Sequence, residues 1–204
     1  MKAVKKILNN IFIDGLSGMA LGLFSTLIIG TILKQIGDLM GGTYGGYLST
    51  FAIIAQRLTG AGIGIGVAYK FKESTYVLLS AAAAGMIGAY ASNLIAGTLL
   101  SEQGALVLLG PGEPLGAFVA AYVGITVGRL VAGKTKLDLL ITPAVTILSG
   151  GAVGILVGPG VSRFMTWLGD LVNWGTEQQP ILMGIVVSVI MGMVLTLPIS
   201  SAAL

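Results

Sequence analysis

The chain contains neither cysteine nor histidine among its 204 residues. Without cysteine it forms no disulfide, iron–sulfur cluster or thiolate-bound zinc, so its compartment cannot be inferred from redox chemistry. Without histidine, imidazole acid–base catalysis, phosphohistidine chemistry and HExxH-type metal sites are excluded within these residues. The remaining residues show no nucleophile–base pair and no cluster of metal ligands. We therefore expect a protein that is not an enzyme and that holds no cofactor.

Charge is also scarce. Only 9% of the residues are charged, whereas a soluble domain carries about 25%. Hydrophobic residues make up 55% of the chain, and the mean hydropathy is +0.96. A core of this size cannot absorb so much apolar surface, so the sequence predicts an all-α membrane protein whose main partner is the lipid bilayer. The net charge is +3, but no basic stripe with interleaved aromatics indicates a nucleic-acid partner.

Glycine is abundant, with 32 residues. Small residues allow transmembrane helices to approach closely. Gly60, Gly62, Gly64 and Gly66 form two interleaved pairs at helical spacing, 60/64 and 62/66. The same alternation fits a strand, but an open strand cannot satisfy its backbone in lipid. The pattern therefore predicts a closely packed helix.

The apolar runs predict about six transmembrane helices in one polytopic domain that covers 1–204. The predicted spans are Ile11–Leu33, Leu48–Ala68, Tyr76–Leu100, Pro114–Val131, Leu137–Val157 and Pro180–Leu197. The apolar end at Leu204 carries no polar cap, so we expect the natural chain to continue and the domain to be incomplete at its C-terminus.

Several segments between the runs predict interruptions. Lys34–Tyr47 is polar and glycine-rich, which indicates a loop or a broken helix start, and Ala105–Leu109 is too short to span, which suggests a re-entrant piece. Pro143 and the sequence Ser149-Gly150-Gly151 are expected to kink or unwind the fifth span. Gly158–Gln179 has tryptophans and apolar residues at helical spacing, which predicts an amphipathic helix at the membrane interface.

Basic residues predict the orientation. If the odd-numbered spans run outward, seven lysines lie inside, and only Lys34 and Arg163 lie outside. This bias satisfies the positive-inside rule and places the N-terminus in the cytoplasm. Met1–Asn10 carries three of these lysines and is interpreted as a short interfacial helix, with a signal peptide as the alternative.

The main candidate for a functional site is the stretch Gly110–Gly116, which places Glu113 between two prolines at the start of the fourth span. Pro114 suits the first position of a helix. Glu113 either caps this helix through its free N–H groups or contacts a solute. Arg57 costs about 2.5–3.5 kcal/mol at the membrane centre. It therefore pairs with a carboxylate, Glu113 or Asp14, or extends to an interface.

Other polar residues add candidates. Asn93 in the third span is interpreted either as interhelical glue or as a ligand for the solute. Pro143 and Thr146 are placed near the same cavity because unwound backbone is tolerated where it lines one. We therefore predict a solute site formed by Glu113, Arg57, Asn93, Pro143 and Thr146.

Four stretches carry a family resemblance. They are Gly112–Ala120 (GEPLGAFVA), Gly128–Val131, Gly133–Lys136 and Thr142–Thr146. Together they resemble the phosphotransferase-system enzyme IIC-like family, in particular the branch that includes perfringolysin O regulator-type membrane proteins. Thr196–Ala203 is similar to a second stretch of that branch. Its members are usually longer, so the chain would be an N-terminal portion.

The resemblance implies a multi-pass permease of the bacterial inner membrane that is often a homodimer. Sugar-specific members carry a Gly-x-x-Glu-Pro motif whose glutamate contacts the sugar, and Gly110, Glu113 and Pro114 match that spacing. Many permeases of the wider superfamily have a functional histidine. This chain has none and carries no recognisable phosphorylation domain, which puts sugar phosphorylation in doubt.

Three functions remain open. The first is a permease for a small polar solute such as a sugar, because a carboxylate can accept two hydroxyls. The second is a non-transporting membrane regulator or sensor, which rests on family analogy. The third is an ion channel or ion-coupled carrier that uses Asp14, Glu102 and Glu113.

Overall fold

A computed structural model of the protein describes residues 10–176, 184–185 and 188–189. Within these residues the chain is almost entirely helical. Helix α1 consists of four consecutive segments, Asn10–Gly15, Leu16–Leu23, Phe24–Ile28 and Ile29–Met40, of which the first and third are π-helical. The others are α2 (Gly42–Arg57), α3 (Thr59–Lys70), α4 (Thr75–Ala89), α5 (Ala91–Ile95), α6 (Pro114–Val131) and α7 (Asp138–Thr176).

The described residues show fewer membrane spans than the six predicted for the whole chain. In the described residues, three helices are long and apolar enough to cross a membrane, namely Ile11–Met40, Pro114–Val131 and Asp138–Leu171. A fourth is possible if α2 and α3, which meet at a bend of 53°, form one broken span. The count of six is not confirmed. The predicted third span ends early at Ala89, and the predicted N-terminal helix and sixth span lie outside the described residues except for isolated positions.

Of the two interpretations of residues 34–47, the broken helix start is correct and the loop is wrong. Helix α1 continues to Met40, and α2 begins at Gly42, so the turn is made by Gly41 with φ +60° and ψ −173°. The other glycines here serve packing, because a Cβ on Gly37 would lie 2.9 Å from the carbonyl oxygen of Gly45. Closely packed helices and loops are both rich in small residues. Composition alone therefore did not distinguish the two structures here.

Helix α3 packs between α1 and α4 through its two glycine pairs, as the spacing predicted. Gly62 and Gly66 face Gly22 and Gly18 of α1, whereas Gly60 and Gly64 face Gly85 and Ala81 of α4. A Cβ on Gly18 would lie 2.6 Å from the carbonyl oxygen of Gly66, and one on Gly60 would lie 2.8 Å from that of Gly85. We call this double contact the glycine seam.

Helix α6 and the first half of α7 complete the bundle against α4. A Cβ on Gly116 would lie 2.7 Å from the carbonyl oxygen of Gly88, and a Cβ on Gly150 would lie 2.7 Å from the Cβ of Ala84. The core between these helices is formed by buried aliphatic and aromatic side chains, including Ile63, Val67, Val77, Phe118 and Ile125. The bundle is therefore held by close backbone approach around a small apolar core.

Helix α7 is continuous through the predicted interruptions, which corrects two expectations. Pro143 lies near its start, where Asp138 accepts hydrogen bonds from the Gly133 N–H (2.9 Å) and the Thr142 hydroxyl (2.5 Å). These contacts hold the first turn, and proline removes only one backbone bond. The predicted interfacial helix at 158–179 is not separate, since α7 runs through its described part to Thr176.

One end of the bundle carries most of its basic residues. Glu73, in the turn between α3 and α4, lies 3.9 Å from Arg129 in the last turn of α6. This ion pair brings Lys70 and Lys72 to the same end as the loop that follows α6. The positive-inside prediction requires these lysines and those of the loop after α6 to lie at one end of the bundle. Which side of the membrane that end faces stays a prediction.

Candidate functional site

The opposite end of the bundle is organised around Tyr90, which separates α4 from α5. Its side chain is only 2% exposed. Its hydroxyl lies 2.6 Å from the carbonyl oxygen of Gly110 and 3.3 Å from that of Arg57. Tyr90 thus links the end of α2, the end of α4 and the loop before α6 at one point.

The loop before α6 is held against α4 by its glycines. Gly110 and Gly112 have φ values of +68° and +73°, which favour glycine. A Cβ on Gly112 would also lie 2.9 Å from the carbonyl oxygen of Ala89. The next residue, Glu113, donates its backbone N–H to that same oxygen at 2.7 Å. The stretch Gly110–Glu113 is therefore fixed on the C-terminal end of α4.

Glu113 occupies the N-cap position of α6, and Pro114 is the first helical residue, as predicted. The backbone carbonyl of Glu113 accepts the Ala117 N–H at 2.9 Å, but its side chain makes no capping hydrogen bond. The carboxylate is half-buried, and burial raises its pKa above the ordinary value of 4.5. Within residues 10–176 it forms no ion pair. The capping interpretation is therefore wrong for the side chain, which is left for another partner.

Arg57 ends α2 at the bend, and its side chain is exposed. In the described part of the chain, no carboxylate lies within ion-pair distance of it. The predicted pairs with Glu113 and Asp14 are therefore not observed. Asp14 is exposed and lies one turn before Gly18, which contacts Gly66 near the other end of α3. Arg57 instead lies at the C-terminus of α2, where the helix dipole favours a positive charge.

The other three predicted residues divide between the two ends. Asn93 lies in α5, three residues after Tyr90, and its amide nitrogen is 3.4 Å from the hydroxyl oxygen of Thr98. Thr146 is buried and donates its hydroxyl to the Thr142 carbonyl at 2.8 Å. It packs against Gly128. Gly128 lies about 22 Å along α6 from Glu113, at 1.5 Å per residue. Glu113, Arg57 and Asn93 therefore share one end, whereas Pro143 and Thr146 lie towards the other.

Sequence reasoning missed Tyr90 as the organising residue. The available signal was its hydroxyl, because a tyrosine within an apolar run needs a hydrogen-bond partner when it is buried. The structure shows no separate re-entrant piece at 105–109. Residues 99–107 form a small turn instead. Leu100 pairs with Leu106 in an antiparallel bridge, and the Val107 N–H donates to the Leu99 carbonyl at 2.8 Å.

Replacing Tyr90 by phenylalanine is expected to lower the thermal unfolding temperature and loosen the loop before α6. The substitution removes the hydrogen bond from the Tyr90 hydroxyl to the Gly110 carbonyl, and a hydrogen bond of this kind contributes about 0.5–1.5 kcal/mol. Thermal unfolding in detergent measures the loss. Tyr44→Phe is the matched control, since the side chain of Tyr44 is 80% exposed and its change should be neutral. Equal effects of both variants would contradict the role assigned to Tyr90.

The described residues contain no group of three or more carboxylates that could hold a metal ion. The fold and this site define a helical membrane protein with a partly buried, unpaired carboxylate at the start of a span. A search of protein-family models matches residues 13–204 to the phosphotransferase system EIIC family. The chain belongs to that family. No curated protein and no solved structure matches it. EIIC domains are the membrane transporter components of the system and are generally not catalytic by themselves.

Proposed function

We propose that the chain is a permease that moves a small polar solute, a sugar or a related polyhydroxy compound, across the bacterial inner membrane. The observation that carries this proposal is the Glu113 carboxylate. It is half-buried on a fixed turn and uses neither the α6 N-terminus nor a cation within residues 10–176 as a partner. An ionised carboxylate has two oxygens that accept hydrogen bonds, which suits adjacent hydroxyls.

Arg57 and Asn93 are the second polar contacts in this proposal. Both lie at the end of the bundle that Tyr90 links to Glu113, and Arg57 is exposed at the bend between α2 and α3. Pro143 and Thr146 remain predictions of the sequence, since they lie near Gly128. A homodimer and a cytoplasmic N-terminus belong to the same proposal.

An ion carrier has less support. Asp14 and Glu102 are both exposed. Asp14 lies in the first segment of α1, near the other end of the bundle from Glu113, and Glu102 lies in the 99–107 turn. Among the described residues these three carboxylates form no cluster. A solute site with one carboxylate fits the geometry better than an acidic ion path.

Uptake into proteoliposomes tests the proposal. The purified protein is reconstituted without soluble phosphotransferase components and offered labelled sugars, organic anions and metal ions. We expect saturable uptake of a sugar in unphosphorylated form, because the assay contains no phosphoryl donor. Uptake of ions alone would contradict the proposal, as would no uptake and no binding of any sugar.

A further inference from the structure

The turn between α3 and α4 has an unusual residue at its centre. The Glu73 N–H donates to the Ala68 carbonyl at 3.1 Å, and the Lys72 N–H donates to the Tyr69 carbonyl at 3.0 Å. These two bonds form the helix-ending arrangement in which a glycine normally takes the left-handed conformation. Here Lys72 takes it, with φ +55°.

Lysine is the exception to a rule that the chain follows elsewhere. Among the described residues, seven other positions have a positive φ, and all seven are glycine. A side chain in this region is sterically disfavoured, and such residues persist where the side chain has a task. In a chain with 32 glycines, the lysine at this position is a candidate for a side chain with a function.

Lys72 opens onto a cleft of about 570 Å³, lined by Tyr69, Lys70, Lys72, Glu73 and Leu78. We call it the basic cleft. Both lysines are exposed, and neither has a carboxylate within ion-pair distance in the described part of the chain. The Glu73 carboxylate, whose side chain is 12% exposed, is paired with Arg129 instead. Three cations and one anion leave a net charge of +2 around the cleft.

The basic cleft also has an apolar side. Leu78 forms one wall, and the Tyr69 side chain is 67% exposed. Ile65, one turn earlier on the same face of α3, is 39% exposed. Tyrosine is typical of membrane–water interfaces, and lysines near a span end face the headgroups. An amphiphile could place its charged headgroup against the lysines and its apolar chain against the neighbouring apolar surface.

We propose that the basic cleft binds the headgroup phosphate of an anionic phospholipid, with Lys70 and Lys72 as its charged contacts and Tyr69 and Ile65 along its acyl chain. In the predicted orientation this end faces the cytoplasm, whose leaflet is negatively charged. Each basic residue near an anionic surface contributes about fivefold in affinity.

Thermal unfolding in neutral detergent tests the proposal, with added phosphatidylglycerol or, for comparison, phosphatidylcholine. Phosphatidylglycerol should raise the unfolding temperature of the unchanged protein more than phosphatidylcholine does. Lys72→Gly should weaken phosphatidylglycerol binding about fivefold, and the double variant with Lys70→Gln about 25-fold. Without lipid, Lys72→Gly should unfold no lower than the unchanged protein, because glycine suits the positive φ.

Lys34→Gln is the matched control. It also removes one positive charge, but Lys34 is paired with Asp38 at 3.6 Å and lies on α1. It should leave phosphatidylglycerol binding unchanged. An equal loss in this control would overturn the proposal, as would a much lower stability of Lys72→Gly without lipid. Equal stabilisation by soluble glycerol phosphate would show a free-phosphate site instead of a lipid site.

Discussion

Replacing Gly64 by alanine is expected to lower the thermal unfolding temperature by about 5–10 °C, corresponding to about 2–3 kcal/mol. Gly64 lies in the glycine seam, and a Cβ there would overlap the carbonyl oxygen of Ala81 and lie 2.6 Å from its carbonyl carbon. Both atoms belong to the backbone of α4, so no side-chain rotation relieves the overlap. The two helices must separate instead.

Helix propensity acts in the opposite direction but is too small to compensate. Alanine is favoured over glycine in a helix by about 0.5–1 kcal/mol, whereas overpacking costs about 1–3 kcal/mol and more where nothing yields. Gly46→Ala isolates the propensity term, since a Cβ on Gly46 meets nothing within 4 Å. We expect this control to unfold at the same temperature or slightly higher. Equal destabilisation by both substitutions would show that the seam contact is not the cause.

Replacing Glu113 by glutamine is expected to weaken solute binding by about 10–100-fold. A hydrogen bond to a charged group contributes about 1.5–3 kcal/mol, and glutamine keeps the size of the side chain but not its charge. Proteoliposome uptake and equilibrium binding both measure the loss. Glu102→Gln is the matched control, because Glu102 is an exposed carboxylate in the neighbouring loop and should tolerate the change.

The same substitution separates function from folding. Burial raises the pKa of Glu113, so the ionised carboxylate is less favourable in the folded protein than in the unfolded chain. Stability from this group therefore decreases as the pH rises through the raised pKa. At neutral pH the glutamine variant should be at least as stable as the unchanged protein. A variant with full uptake would contradict the proposed function.

The pH dependence of binding follows from the same shift. A solute that donates hydroxyls needs the ionised carboxylate, so affinity should fall as the pH is lowered through a pKa above 4.5. The glutamine variant carries no ionisable group at this position and should lose that dependence. Equilibrium binding at several pH values measures both curves. Identical curves for the two proteins would show that Glu113 does not titrate in the site.

The sequence predicted the features that repeat a simple spacing. The helical class, the bounds of α6, the start at Pro114 and the two glycine pairs of α3 were all correct. These features depend on local periodicity and on the chemistry of one residue type. The family was also indicated correctly, from a resemblance whose strongest part is residues 112–146.

Features that depend on partners from distant parts of the chain were not predictable. The role of Tyr90 depends on the carbonyls of Gly110 and Arg57, which come to its hydroxyl from distant positions in the chain. For the glycines near Gly37 and Gly45 a loop and a broken helix start both stayed open, because composition does not show which backbone approaches them. Pro143 was assigned a kink because the stabilised first turn of α7 depends on Asp138. The sequence around Lys72 did not predict its positive φ, because lysine rarely adopts that backbone conformation.

The glycine seam has a mechanical consequence. Contacts between backbones involve no rotamers, so they cost no side-chain entropy and cannot be rearranged by changing one. Helices α1, α3 and α4 can therefore move only together where they share the seam. The joints lie where the helices break, at Leu58 between α2 and α3 and at Tyr90 between α4 and α5. We therefore expect hinge motion beside the proposed solute site to occur at these two breaks.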